Sequence, residues 1–460
     1  MAITLPSGYV DAGAAAMHDR GTWVNGFSET INGITYNGYA INNIVHKASG
    51  VYMSLVDGNT TDPDTDTTSS WRLYLDKTDT SAIELSRCVG IQWNLDDDVK
   101  NITVVGNTAL YPYFKTWVDT SAKPCEIKKD KSDFAYLKNT EGVAHNVNWA
   151  YRADGSASHY NTSDKTDYLQ MVEFENINVG GVIDMRKRTM TVYFNWDYEA
   201  PYGFHRWFKA DKKLFNRYDA TNNSDGSTFN IAYGLSQGSS WSMSADSHLA
   251  KCKATGVGLF AETYWEMCVQ SWLQIAYFQT FDVPSSARGC GMQSGSQTAA
   301  VGYINGTNDT LTKHYGSVDG NSYMFMYREN PIDGKQWKWG AGTHKNSGVL
   351  YITFDDEKAQ LAALLDTANA DKVIKFPATS VGWYWPKNVD VYGLPFETTS
   401  GGSASTGTTD GIYDDNSTDR VMYVGGGSYA GSLCGVVCRT LNLWASASGW
   451  GLRGGCTLNR

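Results

Sequence analysis

Apolar and polar residues alternate along most of this chain in short runs, and glycine and asparagine–glycine steps break the runs apart. Alternation with period two places one face of a strand inward and the other outward, so the pattern predicts many short strands joined by turns. Stretches such as NITVVGNT (101–108), YLQMVEF (168–174) and RKRTMTVYFNW (186–196) fit it well, and residues 81–200 show no convincing helix. Two segments break the period. LFAETYWEMCVQSWLQIAYFQTF (259–281) repeats apolar residues at helical spacing, with Glu262 or Thr263 near its start. TFDDEKAQLAALLDTANADK (353–372) reads as a second helix, with Asp355 or Asp356 as N-cap and acidic residues in its first turn. The expected fold is therefore α+β and β-rich, with two main helices. Three regions are expected: a small β-module at 1–80, a β-rich middle region at 81–200 and a large domain at 201–460. TTSGGSASTGTTDG (398–411) is of low complexity and predicts a flexible surface loop.

Composition narrows the class. Hydrophobic residues make up 42% of the 460 positions and charged ones only 19%, which argues against a disordered chain. Much of the remainder is polar but uncharged or aromatic, with 46 Gly, 28 Tyr and 16 Trp, a mixture that suits adaptable recognition surfaces. The net charge of -10 makes nucleic acid an unsuitable partner. The basic clusters EIKKDKSD (126–133) and MRKRTM (185–190) read as solvated charged faces. No run approaches the length of a membrane-spanning helix, so no membrane insertion is expected. The first residues lack the basic and apolar regions of a signal peptide, so synthesis in a cytosol is expected.

Catalytic signatures are missing: no GxSxG, no HExxH, no phosphate-binding loop. The expectation is a protein that binds rather than catalyses. The eight cysteines are scattered, and free buried thiols are the default for a cytosolic product. Cys434 and Cys438 are four apart but lack the partners that would complete a zinc site, so no metal is assigned. NGTNDT (305–310) could hold a structural calcium ion; a polar turn is the simpler reading, and no other cofactor is expected.

In residues 1–80, Trp23 is followed by NNIVHKASGVYMSLVDGNTTDP and then Trp71, an order that resembles small carbohydrate-binding modules of the chitin-binding type. The resemblance implies sugar stacking by Trp23, Tyr52 and Trp71; the alternatives are that they form a small core, or that the module serves attachment.

Three later segments, in order, resemble the C-type-lectin fold of the formylglycine-generating-enzyme type. They are ETYWEMCVQSWLQIAYF (262–278), YMFMYRENPIDGKQWKW (323–339) and RVMYVGGGSYAGSLCGVVCR with GWGLRGG (420–455). PCEIKKDKSDFAYL (124–137), YGFHRWF (202–208) and the closing GGSYAGSLCGVVCRTLNLWASASGWGLRGG are similar to elements of bacteriophage tail-fibre and head-fibre proteins on this fold. In several of those proteins the last block is varied by a diversity-generating retroelement. The resemblance implies a homotrimeric virion protein that binds a bacterial surface protein or glycan and contacts other virion proteins. Its implied receptor face is Tyr429, Ser432, Leu443, Trp444, Ser446, Ser448 and Trp450. Its implied frame is Gly426, Gly427, Arg453, Trp337 and Trp339. Two other readings stay open: a structural virion component without a receptor role, and a formylglycine-generating-like oxidase using Cys434 and Cys438. In the oxidases of this type the cysteine pair is spaced differently after GGS.

Overall fold

The computed structural model describes residues 18–76 and 87–459 apart from internal stretches, the longest being 231–242 and 284–314. The tail 1–17 and shorter segments, among them 427–433 and 449–451, also lie outside the described residues. The chain is β-rich, with several sheets and four α-helices among the described residues. None of those helices is long and apolar enough to cross a membrane.

The N-terminal strands His18–Thr22, Asn43–His46, Gly50–Ser54 and Trp71–Asp76 form a sheet of their own in that order. Beside it, Tyr39 and Val45 are buried, Phe27 stacks on Tyr39 at 4.4 Å, and Trp23 packs half-buried against them.

A five-stranded sheet follows, ordered Phe204–Arg206, Asn178–Asp184, Thr189–Asn195, Val89–Asn94 and Thr103–Gly106. A seven-stranded sheet takes Val147–Arg152, Phe134–Asn139, Lys123–Lys128, Tyr168–Glu175, Lys212–Asn216, Cys456–Asn459 and Phe260–Ala261. Its strands come from both sides of residue 200, so the boundary expected there is not marked by any break. The physical reason is register: Met171 to Glu175 pair with Lys212 to Asn216, and Lys213 to Phe215 pair with the last strand.

The helix at 259–281 forms as Tyr264–Phe278, here α3. Thr263 caps it and exchanges hydrogen bonds with Glu266 in a capping box. Every residue from Tyr264 to Ala276 is buried, the polar Glu266, Gln270, Ser271 and Gln274 among them. Trp272 stacks on Trp93 of the five-stranded sheet at 5.7 Å, and its Nε1 donates to the Val391 carbonyl at 2.6 Å.

The second expected helix does not form. Only Asp356–Ala359 is α-helical (α4), with a 3-10 turn at Thr367–Asn369. Tertiary hydrogen bonds replace the helical ones. The Gln360 side chain accepts from Ala261 N at 2.7 Å and donates to Ala261 O at 3.1 Å, and Leu365 N donates to Thr343 O at 3.2 Å. Two helices appear instead where none was expected. In α1 (Tyr111–Thr120), Phe114, Trp117 and Val118 are buried at i, i+3 and i+4. In α2 (Ala245–Ala254), Ser244 caps the first turn and Ala245, His248, Leu249 and Cys252 are buried.

The charged cluster 126–133 is not wholly solvated. Glu126 is buried, bonded to Arg152 Nε at 2.6 Å and to His159. Nor is 398–411 all surface loop: Thr408 and Asp410 are buried, and Thr408 bonds the Pro386 carbonyl through N and Oγ1.

Candidate binding face

The last sheet has six strands in the order Gly382–Tyr384, Ile412–Asp414, Arg439–Leu443, Val421–Val424, Trp337–Trp339 and Leu452–Gly454. Strand Arg439–Leu443 lies inside it, with Arg439, Thr440 and Leu441 buried and Asn442 and Leu443 half-buried. As the strand ends, Trp444 emerges with 50% of its surface exposed. A turn closed by Ala447 N on the Trp444 carbonyl, 2.9 Å, presents Ser446 and Ser448 to solvent. Ala445 O accepts from Asp246 N at 3.2 Å, which ties this turn to the start of α2.

The Trp444 ring does not stand alone. Arg420 lies across it with Cζ 3.5 Å from the ring centroid, a cation–π contact. Arg420 is itself fixed, bonding Asp415 Oδ2 at 3.3 Å and the Thr418 carbonyl at 2.9 Å, and pairing through its backbone with Lys345. Burial opposes ionisation of Asp415, but hydrogen bonds from Ser417 and the charge of Arg420 outweigh it and hold the carboxyl below its ordinary value. Lys345, fully buried, contacts Asp414 and lies 3.8 Å from Asp415. The indole is thus backed by a rigid, charge-balanced support.

A second aromatic group lies on the edge strand. Trp383, 37% exposed, packs edge-on against its cross-strand partner Tyr413 at 5.3 Å and stacks on buried Trp337 at 6.1 Å. Trp383, Tyr413 and Arg420 were not singled out in the sequence. The alternation of GWY against IYD, with an arginine directly before the apolar VMYV strand, was the signal available.

Of the expected face, Trp444, Ser446 and Ser448 are exposed at the turn, Leu443 is half-buried and packs against the core, and Tyr429, Ser432 and Trp450 lie outside the described residues. Of the expected frame, Trp337 and Trp339 are buried on one strand. Gly426 adopts φ +85°, and a Cβ there would collide with Cys434 Sγ. Gly427 lies outside the described residues. Arg453 pairs through its backbone with Lys338, and its side chain is not described. The anchor the structure does reveal is Arg439. It is fully buried, bonding the Val436 and Cys438 carbonyls at 3.1 and 2.9 Å, the Tyr264 hydroxyl at 3.3 Å and Ser271 Oγ at 3.4 Å. In the N-terminal sheet, Tyr52 and Trp71 sit on adjacent paired strands, and their side chains lie outside the described residues. So does the expected calcium loop at 305–310.

The chain's last glycines mark a corner. Leu452–Gly454 belongs to the six-stranded sheet and Cys456–Asn459 to the seven-stranded one, so the chain changes sheets at Gly455. A Cβ on Gly455 would collide with Glu262, and one on Gly454 would come within 2.5 Å of the His248 ring. Glu262 in turn holds Arg328 with two hydrogen bonds of 2.8 and 2.9 Å, both side chains buried.

Cys434 and Cys438 are both buried, and burial together with the neighbouring Cys434 pushes the Cys438 thiol well up. No protein-family model matches the chain, and no curated protein sequence matches it.

Proposed function

We propose that this protein is a fibre or adhesin of a bacteriophage virion. In this reading residues 201–460 carry a C-type-lectin-like domain that binds a bacterial surface protein or glycan non-covalently. A homotrimer would multiply weak single-site contacts through avidity. The virion assignment rests on the resemblance of 124–137, 202–208 and 420–455 to phage fibre elements. The binding role is supported best by Trp444: a half-exposed indole clamped on one side by a buried arginine and flanked by exposed serines. Rigid aromatic surface costs little conformational entropy on binding and stacks well on sugar rings or apolar side chains. The oxidase reading fares worse on chemical grounds. A catalytic thiol needs a lowered pKa, and burial moves Cys438 the other way.

The test is adsorption of the full-length protein to candidate bacterial cells and to a glycan array, with Trp444→Ala and Trp383→Ala compared. Binding by the unmutated chain that falls at least tenfold in Trp444→Ala supports the adhesin. Cell binding that neither variant disturbs removes this face from the proposal, and failure to bind any surface turns the reading toward a structural virion part.

A further inference from the structure

Helix α2 presents His248 and Cys252 four residues apart, hence on one face, toward the start of the last strand. There Cys456 meets them. The Cys252 and Cys456 sulfurs are 3.6 Å apart, and His248 Nε2 is 3.7 Å from one and 3.9 Å from the other. All three side chains are buried. The centre of a triangle with these sides lies about 2.2 Å from every corner, which matches Zn–S bonds of about 2.3 Å and Zn–N bonds of about 2.0 Å.

The surroundings fit ligation. His248 Nδ1 lies 3.3 Å from Met243 Sδ, which can only accept, so Nδ1 has a partner for the imidazole proton when Nε2 ligates a metal. The edge of Trp339 packs against the imidazole at 5.7 Å. Cys456 N donates to Asn216 Oδ1 at 2.8 Å, which pins the backbone of the third ligand. Gly455 O lies 3.0 Å from Nε2 and can only accept, so Nε2 donates to it in the metal-free protein, and loading the site shifts that proton to Nδ1. The missing Cβ of Gly454 is what lets the imidazole approach the strand.

The geometry points to a buried zinc site made by His248, Cys252 and Cys456. Charge selects the ion. Two thiolates neutralise a divalent cation, whereas a monovalent one would leave a net negative charge in a dry core. The ion would join α2 to the terminal strand and, through the Asp246–Ala445 hydrogen bond, brace the turn behind Trp444. This inference does not depend on what that turn binds.

The experiment uses the full-length chain, reduced and stripped with chelator. Titration with Co(II) is expected to saturate at one equivalent with thiolate charge-transfer and tetrahedral ligand-field bands, and Zn(II) is expected to displace them. Because buried thiols react slowly with or without metal, alkylation of the unmutated protein is followed in partly denaturing urea, where Zn(II) should slow two of the eight cysteines, mapped by mass spectrometry to Cys252 and Cys456. C252S should abolish the bands, and the double variant C434S/C438S should keep them. Because C252S could weaken the fold, the shielding map on the unmutated protein decides. Absence of the bands at saturating Co(II), shielding at Cys434 and Cys438 instead, or a Cys252–Cys456 disulfide in protein purified without reductant each overturns the site. Preference for Cu(I) over Zn(II) at the same residues overturns the choice of ion.

Discussion

Arg420 and Trp444 form a single unit: the guanidinium carbon sits 3.5 Å from the indole centre, with the arginine buried and the indole half exposed. A cation–π pair of this kind contributes about 0.5–2 kcal/mol. Its larger consequence is orientation, since the ring is held before any partner arrives.

If the proposed binding uses Trp444, Arg420→Met should weaken it less than Trp444→Ala does, because the ring remains but loses its clamp. Both variants should keep their near-ultraviolet circular dichroism outside the tryptophan contribution. Trp444→Ala should change stability by about 1 kcal/mol or less, as a half-exposed side chain leaves little cavity. Surface plasmon resonance against captured cells or purified receptor, with a urea melt beside it, separates the two effects.

Glu262 and Arg328 are fully buried and hydrogen-bonded at both oxygens. Glu262→Gln leaves an arginine charge without its counter-ion in the core and should cost about 3–5 kcal/mol. Arg328→Met should cost a similar amount. The double variant should be more stable than the sum of the two losses implies, which a double-mutant cycle in urea measures.

Asp390 accepts hydrogen bonds from Tyr392 N and Leu394 N, at 2.9 and 3.0 Å, yet burial pushes its carboxyl up to about 7. A carboxyl that holds its proton more tightly folded than unfolded stabilises the fold fully below its unfolded value, near 4. That contribution is lost as pH rises through about 7. Asp390→Asn keeps the acceptor and cannot ionise. It should flatten the decline in melting temperature between pH 4 and pH 7 and raise stability at pH 8 by about 1–3 kcal/mol. Burial also raises Glu266 and Asp410, so the slope should become shallower rather than vanish.

Gly340→Ala would bring a Cβ to 2.8 Å from the Tyr264 Cα, a backbone atom that cannot rotate away. Overpacking of this kind costs about 1–3 kcal/mol or more. Ser446→Ala, on the exposed turn, should stay within about 0.5 kcal/mol of the unmutated protein in the same thermal scan.

Local pattern was enough to reveal the β-rich class, strands such as Tyr168–Glu175 and Thr189–Asn195, and helix α3 with its start at Glu262 or Thr263. Each of these is decided by residues close in sequence: alternation selects a strand, and apolar residues recurring at helical spacing select a helix. The failures share a cause. In 353–372 helical propensity lost to hydrogen bonds from Gln360 to Ala261 and from Leu365 to Thr343, partners distant in sequence. In α1, aromatic and β-branched residues masked the i, i+3, i+4 spacing of Phe114, Trp117 and Val118, because the helix is held by packing rather than by propensity.

By itself, then, the sequence determined that the chain is β-rich, which of its alternating runs become strands, and to within a residue where the central helix begins. Only the tertiary structure decided that the closing glycine-rich block turns a corner between two sheets at Gly455, that Arg420 supports Trp444, that Arg439 anchors the final strands, and that Cys456 arrives beside His248 and Cys252. The physical reason is that each of these depends on an approach of atoms to within a few ångströms across long sequence separations, which neither periodicity nor composition encodes.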